Sequence, residues 1–237
     1  AKTTGEGLTD STTEVGPPGL PTPEHCIEKG GHMNLTTRHE LRQLYGAASE
    51  RASLKEMPQL DRHAQQFIAL SPFVVLASAN ATGHMDASPR GGDPGFVKVT
   101  DPQTLLIPDA PGNNRLDTLE NILDTGQLGL LFMLPGFDET LRVNGQASLS
   151  TDPAALQLCA DARRTPVLVI RVQVQAVYLH CAKAFMRAQL WNPSHQTPRH
   201  RMPSMGEMLR DQIQATQGIA MGAETPAEML ARYQQSL

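Results

Sequence analysis

Apolar and polar residues alternate most regularly in the middle of this chain, and the alternation marks out strands. "FVVLASA" (73–79) reads as a strand, "NATG" (80–83) as a turn and "HMDAS" (84–88) as the return, the pattern of a hairpin. "FVKV" (96–99) and "TLLIP" (104–108) form a second pair around a turn at Thr100–Gln103. "QLGLLFML" (127–134) is apolar almost throughout, as a strand buried on both faces would be. "ETLRVNGQASLS" (139–150) reads as two short segments, and "VLVIRVQVQAVYL" (167–179) as the longest strand, alternating from Ile170.

Helical periodicity flanks and interrupts these strands. Thr37 and Glu40 have capping-box spacing, and Leu41, Leu44 and Tyr45 follow at helical intervals. A second helix is expected over 61–70, stopped by Pro72, and both read as a prelude packed on one end of the sheet. A third is expected from Arg115 to about Asp124, with Leu116, Leu119, Ile122 and Leu123 on one face. Asp152-Pro153 opens a fourth, over 152–161, and the tail from Ala182 is helical around a break at "WNPSHQTPRHRMP" (191–203). Six or seven strands in hairpin order give a mainly β, antiparallel fold with flanking helices, and that many short strands point to a small closed barrel.

Residues 1–32 differ in texture. They are rich in Gly, Pro, Thr and Glu and hold few large apolar side chains, so they bury too little surface to offset the entropy of ordering. The reading is a flexible arm, or a segment appended ahead of a native start at Met33, followed by a single domain over 33–237. The net charge of −4 argues against a nucleic-acid partner. Apolar runs are too short to span a membrane, and the first ten residues lack an apolar signal region. Cys26, Cys159 and Cys181 are odd in number and widely spaced, which fits reduced thiols in a cytoplasmic protein. Cys181, ahead of a helix, is either an activated thiol or a small buried hydrophobe.

The chain lacks the glycine motifs of Rossmann and P-loop phosphate cradles, a nucleophile elbow and a zinc-protease motif, and His195 and His200 make a weak metal pair. A cofactor is therefore expected to carry any chemistry. Two places could hold one. Ser88, Pro89, Arg90 and Gly91 put an arginine among glycines at a strand end, which is either a tight turn or a close approach to an anion. In "PDAPGNNRLDTLENIL", Asn113, Asn114 and Arg115 sit where a helix begins and backbone N–H groups are free, an anion site unless Arg115 is merely solvated.

Taken in order, "SPRG", "LLIPDAPGNNRLDTLENIL", "LRVNGQA" and "YLHCAKA…LW" resemble the pyridoxamine 5′-phosphate oxidase-like FMN-binding proteins over residues 35–237. The resemblance is nearest to a branch of FMN-dependent enzymes in that family. It implies a split β-barrel and a homodimer with the flavin at the interface. It implies that Ser88, Pro89, Arg90 and Gly91 line the ring or ribityl chain, that Ile107 and Pro108 run beside it, and that Asn113, Asn114 and Arg115 hold the phosphate. Arg142 would face the flavin across the dimer, or else is a cross-strand surface arginine. Lys183 and Arg187, one helical turn apart, form either a basic lip for an anionic substrate or donor such as NAD(P)H, or an exposed helix face. Trp191 either covers the ring or packs in the core. The chain departs from the oxidase proper: its flavin strand and helix start have fewer basic residues, and the C-terminal R-x-H pattern is not evident. The expectation is an FMN-dependent oxidoreductase acting on a small molecule other than a B6 vitamer. The alternative is a non-enzymatic flavin or haem carrier of the same fold.

Overall fold

The computed structural model describes residues 34–110 and 112–234. The expectations for residues 1–32, for Met33 and for Cys26 lie outside the described residues. The chain divides into two units, Ala1–Ala48 and Ser49–Leu237. In the first, α1 (Arg38–Tyr45) has the expected capping box: the Thr37 hydroxyl accepts from the Glu40 N–H, and the Glu40 carboxylate accepts from the Thr37 N–H.

The second unit opens with α2 (Glu50–Leu54), a five-residue helix that shows no apolar periodicity in the sequence and is held at its start by the Ser49 hydroxyl. α3 (Arg62–Leu70) is capped by Asp61 and buries Ala64 and Ile68. Seven strands follow: β1 (Phe73–Ala79), β2 (Met85–Gly91), β3 (Lys98–Asp101), β4 (Thr104–Pro108), β5 (Gln127–Met133), β6 (Thr140–Ser150) and β7 (Val169–His180). Their order across the sheet is β2-β1-β5-β6-β7-β4-β3, and every neighbouring pair is antiparallel. Three strands separate β1 from β4, yet Val74, Leu76, Leu105 and Ile107 share one core with Phe132, Val143 and Val172. The sheet is therefore wrapped around that core. The expected closure does not occur: β2 and β3 remain its two edges, as in a split barrel.

β2 runs three residues further than the hairpin pattern indicates. Pro89, Arg90 and Gly91 pair with Val75, Val74 and Phe73, so "SPRG" is strand and not a turn. Proline is tolerated there because β2 is an edge strand. β6 is likewise one strand and not two segments. At "VNG" the chain does not turn. Instead β7 carries one extra residue, Gln175, between the partners of Asn144 and Gly145. α4 (Asp117–Thr125) begins two residues later than expected, and its buried side chains are Thr118, Leu119, Asn121 and Ile122, leaving Leu116 and Leu123 exposed. α5 (Pro153–Leu158) is shorter than the pattern over 152–161. The tail holds α6 (Lys183–Ala188), two 3-10 turns, α7 (Met205–Gln217) and α8 (Pro226–Gln234). Among the described residues no helix is long and apolar enough to cross a membrane.

The bulge needs its glycine. A Cβ at Gly145 would stand 2.2 Å from the Gln173 carbonyl oxygen, a backbone atom that cannot swing aside. Gly145→Ala should therefore destabilise the fold by about 1–3 kcal/mol, the usual range for overpacking a tight site. Urea denaturation should show a lower midpoint with an unchanged slope, and a midpoint equal to the parent's would mean that the bulge has room to relax.

Candidate functional site

Alternation along β2 puts Asp86, Ser88 and Arg90 on one face, the face that pairs across to the core positions Leu76 and Val74. Because β2 is the edge, that polar face does not close against another strand. It opens into a cleft of about 910 Å³ at the seam of the barrel, within the size range of cofactor pockets. β3 pairs with β4 only as far as Leu106, which leaves the Pro108–Asp109 end of β4 open towards β2. The turn 112–116, the start of α4 and the loop after α5 complete the walls.

α4 is bolted to the β1–β2 hairpin by polar contacts. The Thr118 hydroxyl donates to the Asp86 carboxylate, the Asn121 amide donates to the Ser78 hydroxyl at 3.0 Å, and the Thr125 hydroxyl donates to the Ala79 carbonyl at 2.9 Å. These bonds set the turn before α4 across the cleft from Arg90. The turn is tightly shaped: the Asn113 side chain accepts from the Arg115 N–H at 3.1 Å, and Asn114 and Leu116 both adopt positive φ, at 59° and 60°. Leu116 in that conformation keeps Arg115 out of the helix. The helix start instead carries Asp117 and Glu120, which complement its dipole.

Five basic side chains (Arg90, Lys98, Arg115, Arg163, Arg164) and five carboxylates (Asp86, Asp93, Asp109, Asp117, Asp161) line the cleft. Arg90 is mostly buried. It donates through Nη1 to the Ser88 hydroxyl and, at 2.9 Å, to the Pro89 carbonyl, and its Nη2 lies 4.0 Å from Asp109, so the pair spans the seam. Burial pushes the Asp109 carboxyl above the usual carboxylate range, against the pull of Arg90, the Ala110 N–H and Arg164. Arg115 is 73% exposed and pairs with Asp117 at 2.9 Å, a contact that contributes little by itself. The Asp161 carboxylate accepts from the N–H groups of Arg163 and Arg164, at 2.8 and 2.9 Å, which fixes the loop that carries them.

The cleft gathers Ser88, Pro89, Arg90, Gly91, Pro108, Asn113, Asn114 and Arg115. Ile107 lies outside it, fully buried in the core. Arg142 also lies elsewhere, donating to the Tyr178 hydroxyl at 3.1 Å. Lys183 and Arg187 are exposed on α6 and do not line the cleft. The Trp191 indole donates to the Phe137 carbonyl at 2.8 Å and packs against Phe185, so it ties the tail to the β5–β6 loop. Lys98, Arg163 and Arg164 carry no signal of this site in the sequence, whereas Asp109 ends the strand Leu106–Asp109 that the resemblance runs beside the flavin. The signal for Asp109 was its place directly after the apolar run "TLLIP". The small buried thiol is Cys159, whose pKa is raised by burial, whereas Cys181 is exposed.

The family model of pyridoxamine 5′-phosphate oxidase matches residues 60–181, just over half of the chain. No curated protein matches it. Among solved structures, the HupZ protein of Group A Streptococcus is 18% identical, covering 51% of this chain and 93% of its own, with a TM-score of 0.43. A putative pyridoxamine 5′-phosphate oxidase of Lactobacillus delbrueckii is 20% identical, covering 53% of this chain and 99% of its own, with a TM-score of 0.42. An FMN-binding protein of Syntrophomonas wolfei is 9% identical, covering 60% of this chain and 96% of its own, with a TM-score of 0.42.

Asp109 gives the site a pH signature. Its carboxyl takes up a proton more readily in the folded chain than in the unfolded one, so its charge costs stability. That cost is absent below the ordinary carboxylate range and complete once the pH has passed the raised value. The parent should therefore lose stability relative to Asp109→Asn as pH rises from about 3 to 7. Urea denaturation of both proteins at fixed ionic strength reads the gap. A parent stability, taken relative to Asp109→Asn, that stays constant or rises over that range would mean that the pairing with Arg90 outweighs burial.

Proposed function

The chain belongs to the pyridoxamine 5′-phosphate oxidase family, and from that premise we propose that it is an FMN-dependent oxidoreductase whose cofactor lies in the seam cleft. The observation that carries this reading is the meeting, in one cleft, of eight of the ten residues expected to bind the cofactor. The donor set fits a flavin mononucleotide. One backbone edge of β2 is unpaired by any strand and offers hydrogen bonds to a polar ring edge. Across the seam, Asn113, Asn114 and Arg115 would hold the phosphate, with Arg115 exchanging Asp117 for the stronger anion.

Bound there, FMN would supply hydride or electron transfer. The residues do the positioning. Ser88 and the Pro89 carbonyl hold the Arg90 guanidinium in place, and its positive charge would favour a flavin that has gained electrons. Asp109 moderates that charge from the opposite wall. The haem-carrier alternative finds less support, because no histidine lines the cleft among the described residues. The reading includes a homodimer, in which Arg142 would approach a flavin only from a second copy.

The protein should bind FMN with flavin absorbance bands and turn over with a reduced nicotinamide donor. Arg115→Ala should weaken FMN by about 1.5–3 kcal/mol, roughly ten- to hundredfold, and leave riboflavin binding almost unchanged. Isothermal titration with both ligands checks this, and equal losses would remove Arg115 from the phosphate. Sedimentation of the 25.7 kDa chain at micromolar concentration should give twice the chain mass. A monomer that binds FMN at full strength would end the dimer reading.

A further inference from the structure

The ion pair that bridges the seam is an unequal one. Arg90 reaches into the cleft from β2, the free edge, and Asp109 stands just past Pro108, the last residue of β4 to pair with β7. The Asp109 N–H donates to the Leu168 carbonyl at 3.0 Å, which fixes its backbone. The two side chains are only 19% and 18% exposed. The Arg90 guanidinium commits its close bonds to its own strand, at the Ser88 hydroxyl and the Pro89 carbonyl, and its Nη2 stops 4.0 Å from Asp109 Oδ1. That distance gives Coulomb attraction without a hydrogen bond. Asp109 therefore holds its charge in a half-dry place with its chief counter-charge out of bonding reach.

The other groups acting on this carboxylate do not close the deficit. The Ala110 N–H, next along the chain, donates to it, and Arg164 adds its charge from the loop after α5. Burial outweighs these and Arg90 together, and pushes the carboxyl above the usual carboxylate range. β3 contributes Lys98 to the same cleft and the start of α4 contributes Arg115 and Asp117, while Asp86, Asp93 and Asp161 add negative charge that favours a neutral Asp109. The remaining exposure of Asp109 is to the open cleft, whose wall it forms. A flat ring seated there would cover it, and the ring's acceptor atoms would draw on the charge of Arg90. Both changes disfavour the ionised carboxylate. Arg90 is held by Ser88 and Pro89 and does not swing over to compensate.

We propose that Asp109 takes up a proton from solvent as the cleft fills and returns it as the cleft empties, so that retention of the cofactor depends on pH; this rests on the seam cleft being the flavin site. The proton goes onto a carboxylate oxygen, the cleft gains one positive charge, and no other bond changes. The neutral acid is also the better neighbour for a polar ring edge, because it offers an O–H donor where the carboxylate only accepts. Asp109 moderates Arg90 fully only while it is ionised, so pH sets how much of the Arg90 charge reaches the ring. The sign follows from linkage: binding that takes up a proton weakens as pH rises. Affinity is highest below the pH at which Asp109 ionises in the empty cleft. It falls from there to the higher pH at which Asp109 ionises in the filled cleft, and is level beyond.

Isothermal titration of FMN into the parent and into Asp109→Asn tests this, at fixed ionic strength, from about pH 4 to 8, in paired buffers of different ionisation enthalpy that count the protons taken up. The FMN phosphate titrates at about pH 6, but alike in both proteins, so the difference between them belongs to Asp109. The parent should take up more protons than the variant, by at most about one, and the affinity of the variant relative to the parent should rise with pH by up to about tenfold per unit. FMN binding with equal proton counts in the two proteins at every pH, or with more protons taken up by the variant, overturns the inference and leaves the flavin reading standing. A parent that binds no FMN overturns both. Should Asp109→Asn fail to fold, carbon-13 NMR of the parent labelled at its aspartate carboxyls reads the same event. FMN should move the Asp109 signal, assigned with Asp109→Ser, towards the neutral acid, and an aspartate spectrum in which no signal moves that way overturns the inference.

Discussion

The sheet stops short of closing, and α4 is fixed to the β1–β2 side of the gap. Everything at the candidate site depends on that constraint. Had β2 paired with the other edge, Asp86, Ser88 and Arg90 would face a packed interior, where polar side chains need internal partners. Instead the seam leaves them half-buried, and three hydrogen bonds from Thr118, Asn121 and Thr125 bind α4 to β1 and β2. Two of the three reach serine or aspartate side chains of the hairpin. α4 is thus located by directional bonds as well as by Leu119 and Ile122, which packing alone would let slide. The turn before α4 inherits its position from them.

The cleft is electrostatically balanced, and this decides how it can bind an anion. Arg90 has Asp109 and Arg115 has Asp117, so an incoming phosphate or polar ring edge meets cations that already have partners. The two pairs differ in kind. Arg115 with Asp117 is exposed, weak and easily exchanged. Arg90 with Asp109 is largely buried, with the carboxyl held high by desolvation, so its orientation is costly to disturb. In the proposed reading, the fixed pair would set the electronics of the cofactor and the loose pair would only hold it.

Alternating strands such as β1 and the second half of β7 were legible from the sequence because one face is buried, and α1 and α3 because their caps are local. The errors came where a tertiary constraint overrides a local signal. Pro89 and Gly91 look like a turn, but an edge strand tolerates both. Asn144-Gly145 looks like a hairpin turn, but the close approach of Gln173 demands the same glycine inside a continuous strand. Arg115 fits the helical period of α4, yet the positive φ of Leu116 excludes it. For the site, contiguous glycine- and asparagine-rich pieces could be read, since the chemistry of a cradle is written in adjacent residues. Lys98, Arg163 and Arg164 could not, because only the fold brings β3 and the loop after α5 to the same seam.

Arg142 shows how far a single backbone irregularity reaches. From the motif "LRVNG" alone it could serve a flavin or simply decorate a strand. Its surroundings follow from Gln175, three residues before Tyr178. Were Gln175 paired as an ordinary strand residue instead of bulged, the period-2 rule would send Tyr178 and His180 into the core, where a phenol and an imidazole would need buried partners. With it, both emerge beside Arg142, the strand end is released from β4, and Met57 takes up the freed backbone groups and carries Lys55 in. The glycine that permits the bulge is thus tied to a cluster of charge on the outer face of the sheet. The cations of the cleft stand beside carboxylates in the same pocket, whereas among the described residues those around Tyr178 are paired with its ring.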